Sequence, residues 1–180
     1  MLISRRRVLG VVIATLMSGL PTTLSGSVVV PLSLAQLTES ADVIADATVV
    51  DIRTAQGPEG VERLVQVRVA NTWKGPAAST LYVRLAGGRL GGTETRVPGV
   101  PAVAEGDRVI WFLLAHPRGG YSVLGLHQGA LQAVTAPDGS ARVLAPARLS
   151  SARGDVTRLP RRIEDLAAEV RALVEAGGVR

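Results

Sequence analysis

Cysteine is absent from the 180 residues, so disulfide scaffolds, thiolate metal sites and cysteine nucleophiles are excluded. Histidine occurs only twice, at His116 and His127. Neither His-x-x-x-His nor His-Glu spacing is present, which leaves no zinc pattern. No Gly-x-Ser-x-Gly elbow occurs, although a Ser-His-Asp triad is recognised by geometry rather than by spacing. Aromatics are limited to Trp73, Tyr82, Trp111, Phe112 and Tyr121. A nucleic-acid barrel needs stacking platforms beside a basic groove. Only Tyr82 and Tyr121 are available as platforms, so nucleic acid is not an expected partner. Lysine occurs once, at Lys74; the other nineteen basic residues are Arg.

Apolar residues form 47% of the chain and charged residues 19%, a globular balance and not a disordered one. The length suits one domain, or one domain with a tail. The formal net charge is +5, but Arg5, Arg6 and Arg7 contribute three of those charges from an N-terminal segment. The remaining surplus is too small for a phosphate-neutralising stripe.

That N-terminal segment has the three-part plan of a secretory signal. Arg5–Arg7 are the positive region, Val8 to Leu20 a 13-residue apolar region, and Pro21 ends it before small residues at Thr22, Thr23, Ser25, Gly26 and Ser27. A membrane span needs about 20 apolar residues, so residues 1–27 read as a cleaved signal. Val28 to Leu32 would lengthen the run in an uncleaved anchor, through which the chain would contact a membrane. Ser4-Arg5-Arg6-Arg7-Val8-Leu9 resembles the twin-arginine export motif, with Val8 where that motif prefers Phe. The resemblance implies folding before export, which agrees with the lack of Cys. The other reading is a general secretory signal carrying three arginines. Both place the protein outside the cytoplasm, in the periplasm or secreted.

The mature chain alternates in strand fashion. Pro31 to Ala41 predicts a short helix, with Ser33 and Gln36 forming a capping box. Val43 to Arg53 predicts a long strand. Its apolar parity changes near Val49–Val50, the signature of a β-bulge. Gln56 to Gly60 reads as a loop. Val65, Val67 and Val69 alternate with Gln66 and Arg68, and Leu81, Val83 and Leu85 alternate with Thr80, Tyr82 and Arg84. Each is a strand with one wet face. Trp73 reads as a packing residue at the edge. Val109 to Ala115 is continuously apolar and predicts a strand buried on both faces. Further strands are expected over 121–126, 130–135 and 142–144. Residues 146–159 are Arg-rich and read as a solvated linker; contact with anionic lipid or polysaccharide is the other reading. Residues 160–177 predict an amphipathic helix, with Ile163, Leu166, Val170, Leu173 and Val174 on one stripe.

The chemistry-bearing residues are sparse. Asp42, Asp46 and Asp51 are the strand carboxylates, and Asp42 reads as a cap or turn residue. The Gly87–Gly92 run is followed by β-like Thr93 to Val97 and not by a helix, so it reads as a hairpin rather than a phosphate loop. The exposed turns around 87–101 and 116–120 are the expected contact surface, with Arg89, Leu90 and Arg118 as candidate partner-contact residues. No catalytic, metal or cofactor residue is assigned, and no cofactor is expected.

Ala41-Asp42-Val43-Ile44, a following strand, and Val69-Ala70-Asn71-Thr72-Trp73-Lys74-Gly75 resemble the netrin-type module of the tissue inhibitors of metalloproteases. The motifs Gly91-Gly92, Val97 to Pro101, Gly106 to Val109 and Gly125 to Gly129 are similar to a group of exported bacterial proteins of unassigned function. The resemblance implies an OB-like barrel. The inhibitors place an N-terminal Cys on zinc; this chain has none, so no functional residue carries over.

The sequence therefore predicts a mainly β protein. Residues 31–145 are expected to form a small OB-like antiparallel barrel with a short N-terminal helix, followed by a C-terminal amphipathic helix. The expected function is an exported, non-enzymatic binding or interaction module for an unknown protein or cell-envelope partner. The alternatives are a protease-inhibitor-like protein acting through surface loops, and a hydrolase using His127 or His116 as base.

Overall fold

The capping box expected at Ser33 and Gln36 closes in the computed structural model, which describes residues 31–144 and 161–177. The Ser33 hydroxyl accepts the Gln36 N–H at 3.2 Å, and the Gln36 side chain accepts the Ser33 N–H at 2.9 Å. The pair starts α1 (Leu34–Ser40). Lys74 finishes that helix from outside, donating its ammonium to the carbonyls of Thr38 and Glu39 at 2.7 and 2.9 Å. Carbonyls at a helix C-terminus lack intrahelical donors, and a cation suits that end of the dipole.

Two long strands follow, β1 (Val43–Gly57) and β2 (Gly60–Lys74). Only Pro58 and Glu59 lie between them, so the expected loop over 56–60 is mostly strand. Gly57 pairs with Gly60, and Pro58, lacking an N–H, ends the ladder. The parity change in β1 is a bulge: Val49 pairs with Val67 and Asp51 with Gln66, leaving Val50 without an opposite residue. The extra residue turns the alternation over, so Val49 and Ile52 both pack on the same cluster.

Next come β3 (Thr80–Ala86), the small hairpin β4 (Gly88–Leu90) and β5 (Thr93–Thr95), then β6 (Arg108–Ala115) and β7 (Tyr121–Val123). The hydrogen-bonded order is β1-β2-β3-β7-β6, and β6 pairs again with β1. The sheet thus closes into a ring. One pairing, β3 with β7, is parallel, where an all-antiparallel arrangement was expected. The predicted strand over 121–126 stops at Val123 because Leu126–Gly129 forms a 3₁₀ turn. Beyond β6 the sheet continues through β8 (Ala130–Thr135), β9 (Ala141–Val143) and the two-residue β10 (Arg161–Arg162). Helix α2 (Ile163–Gly177) begins at Ile163 rather than residue 160, because Arg161 and Arg162 pair with Val143 and Arg142. The signal over 1–27, the linker over 146–159 and Pro160 lie outside the described residues.

Two apolar clusters lie on opposite sides of β1 and β6. Inside the ring are Val43, Ala45, Ala47, Val49, Val65, Val67, Val83, Val109, Trp111 and Leu113. On the outer side, Ile44, Ile110, Phe112, Leu131 and Val143 meet Leu37 of α1 and Ile163, Leu166 and Val170 of α2. Trp73 packs in this outer cluster. The continuous apolar run of β6 is therefore buried on both faces, as expected of such a run. The stripe of α2 docks on this sheet through Ile163, Leu166 and Val170.

Candidate functional site

The interior row of β2 changes character along its length. Val67 and Val65 face the ring's apolar filling, and the next residue of that parity is Arg63. Side chains two apart share a face, so Arg63 stands where the valine row runs out. Its register partners are Thr54 on β1 and Leu85 on β3. The Val50 bulge brings Ile52 and Thr54 round to this side. Without the extra residue, Arg53 would take that place.

The hairpin β4–β5 and residues 96–103 fold beside this end of the ring and leave a cleft of about 680 Å³. Arg63, Ile52, Thr54, Ala86, Gly88, Arg89, Glu94, Arg96, Val97, Val100, Pro101 and Val103 line it. Glycine is required where the hairpin begins. A Cβ on Gly87, at φ +80°, would lie 2.5 Å from the Thr95 carbonyl oxygen. One on Gly88 would lie 2.9 Å from Thr54 Cγ2 and 3.0 Å from Arg63 Cγ. Backbone and side-chain bonds hold the opposite wall. Gln132 donates to the Ala102 carbonyl at 3.2 Å, and the His127 N–H donates to the Gly99 carbonyl at 2.8 Å.

The electrostatics of the cleft are uneven. Glu94 accepts from Arg96 at 2.7 Å, so these two charges satisfy each other at the rim. Arg89 is exposed. Among the described residues, Arg63 reaches only the Pro101 carbonyl, at 3.4 Å, and its Nε is buried without a hydrogen-bond partner. Burial pushes its guanidinium below the ordinary arginine value, yet arginine keeps its charge at any physiological pH. The cleft lining thus includes a permanent positive charge, half-buried, with one donor left unsatisfied.

The expected contact residues divide between two places. Arg89 and Leu90 sit exposed on β4. Arg118 is on the 116–120 turn, with its two terminal nitrogens on the two Glu62 oxygens at 2.9 and 2.7 Å. Arg84 joins this cluster, donating to Glu62 at 3.1 Å and to the carbonyls of Gly119 and Arg118. The hydrogen bond from Arg118, and then the charges of Arg118 and Arg84, hold the Glu62 carboxyl below the usual carboxylate range. His116 Nδ1 accepts the Arg118 N–H at 3.1 Å within the same turn. His127 is exposed on the 3₁₀ turn.

The strand carboxylates do not converge. Asp42 accepts the Ala115 N–H at 2.7 Å, as a turn residue would. Asp46 is fully buried and takes Arg108 in two bonds of 2.8 and 2.6 Å. Asp51 pairs with Arg53 at 2.7 Å. Among the described residues, no group of three or more His, Asp or Glu is placed to hold a metal. Among the same residues, no helix is long and apolar enough to cross a membrane.

Arg63 was not among the residues singled out from sequence. The signal was present in Arg63-Leu64-Val65-Gln66-Val67: a cation in phase with the apolar positions of a strand, not with the polar ones.

No family model matches the chain, and no match emerges from comparison with curated proteins.

Proposed function

We propose that the chain is an exported, non-enzymatic binding module, built on a small OB-like barrel, that contacts its partner at the ring mouth. The barrel reading is supported by the cycle of pairings β1-β2-β3-β7-β6-β1, with its single parallel contact between β3 and β7. The export reading rests on the composition of residues 1–27. The observation that carries the contact surface is the cleft beside Arg63, with the exposed hairpin Gly88–Thr95 as one wall. Mouths of closed sheets are common ligand sites. Arg89 and Leu90 stand at the rim as contacts, while Arg118 fixes the neighbouring turn. The partner is a protein or another component of the cell envelope, not nucleic acid.

A photo-crosslinker at Leu90, in the chain exported with its own leader and recovered from the envelope fraction, tests the reading. A discrete adduct from position 90, and none from the equally exposed Val134 on β8, is the expected result. Adducts from neither position, together with hydrolase activity abolished by His127→Ala, would end it.

A further inference from the structure

We propose that the mouth cleft binds a small organic monoanion, a single carboxylate carried on an apolar body, with the Arg63 guanidinium as its anion receptor. This deepens the binding-module reading and rests on the same cleft. Three observations converge on that ligand class. The volume, about 680 Å³, lies within the range of small-molecule pockets, roughly 300–1,000 Å³. Ile52, Ala86, Val97, Val100 and Val103 give the lining an apolar stretch for the body, beside polar side chains from Thr54 and the hairpin. Arg63 Nε is buried without a hydrogen-bond acceptor, and no carboxylate of the described residues forms an ion pair with this guanidinium.

A desolvated cation without a counter-charge is costly, and an entering anion relieves that cost. Arginine presents its donors as a planar fork that matches a carboxylate. The half-buried Arg63 guanidinium matches one negative charge. Arg89 is exposed on the hairpin and Arg96 is matched by Glu94 at 2.7 Å, so Arg63 is the recessed cation, and one carboxylate matches it.

Titration of the full chain with decanoate, decanamide, acetate, inorganic phosphate and an amphipathic peptide ending in a free carboxylate tests the proposal. Saturable decanoate binding is expected. Decanamide, which keeps the apolar body and loses the charge, binds at least about tenfold more weakly, as loss of one charged hydrogen-bonded contact implies. Acetate binds more weakly as well, because it lacks the body. In Arg63→Gln the preference for decanoate over decanamide disappears. The Arg63 Nε–H resonance of the unaltered chain, assigned by its loss in Arg63→Lys, moves on adding decanoate, so the answer survives if Arg63→Gln does not fold. Equal binding of decanamide, an unmoved Arg63 resonance, or binding of phosphate or the peptide in place of decanoate would overturn the proposal. Crosslinking at Leu90 with no carboxylate bound defeats this inference alone. Carboxylate binding with no adduct from Leu90 defeats the macromolecular-partner reading alone.

Discussion

The outer surface of the ring is finished in two ways. Over β1 and β6 two helices cover it, and the strands beneath carry Ile44, Ile110 and Phe112 outward into an apolar cluster. Over β3 and residues 62–68 of β2 no helix of the described residues packs on it, and the outward residues include Glu62, Gln66, Tyr82 and Arg84. The same sheet therefore reads as a continuous apolar run in one half and as alternation, broken at Arg63-Leu64, in the other. The pattern of a strand reports what lies on each face, not merely that it is a strand. The two halves also hold their charges differently. Asp46 and Arg108 form a pair in which the carboxylate is wholly buried, whereas Glu62, Arg84 and Arg118 meet at the solvent edge.

The sharpest way to break this comparison is a matched pair of aromatic truncations. Phe112→Ala removes a fully buried side chain under the helices and is expected to cost about 3–5 kcal/mol in denaturant unfolding. Tyr82→Ala removes a ring that is 45% exposed on the uncovered face and should change stability by about 0.5 kcal/mol or less. Equal losses would mean that the helices contribute little to the outer cluster.

The charged pairs give the next largest contrast. Arg108→Ala leaves the Asp46 carboxylate buried without its cation, a loss of about 3 kcal/mol. The low end of the usual range applies because the Arg108 side chain is 39% exposed. Arg84→Ala, on the wet face, should cost less than about 1 kcal/mol. Between these two falls Ser33→Ala, which removes the hydroxyl cap of α1 and should lower stability by about 1 kcal/mol. The same thermal or denaturant curves measure all three.

These contrasts also explain what was legible beforehand. The bulge at Val50, the double burial of Val109–Leu113, the cap at Ser33 and the stripe of α2 are local patterns, each written in residues that touch along one strand or one helix turn. The closure of the ring was not legible in that way. The β1–β6 pairing joins Val43 to Leu113, and the parallel β3–β7 contact joins Val83 to Tyr121; no spacing within a window encodes either. The cleft depends on the same long-range closure. Arg63 becomes a mouth residue only because β1 supplies Thr54 on one side and β3 supplies Leu85 on the other. Arg118 had the composition of a contact residue. Its engagement by Glu62, 56 positions away in sequence, could be known only once β2 and the 116–120 turn were neighbours.

The wet face makes one pH-dependent prediction, the smallest in effect. The Glu62 carboxyl is held below its ordinary value, first by the hydrogen bond from Arg118 and then by the charges of Arg118 and Arg84. A carboxylate whose folded-state pKa is depressed stabilises the folded form above its unfolded value, about 4.3. That contribution falls away as the pH drops through the lower folded value. The arginines keep their charge across this range, so nothing comparable is lost on the alkaline side. The loss is local, because Glu62 holds the 116–120 turn against β2 and β3 through Arg118 and Arg84. Hydrogen exchange at the His116 amide, which donates to the Gly120 carbonyl at 3.0 Å, reads that turn directly. Relative to the intrinsic rate, its protection should decline on acidification below about pH 4 in the native chain. In Glu62→Gln the protection should start lower and stay flat through the same range. The Phe112 amide lies in a strand under the helices and should show no such local decline in either protein. A parallel decline at Phe112 would mean that acid opens the whole ring, and that the water-covered face is not held apart from the helix-covered one.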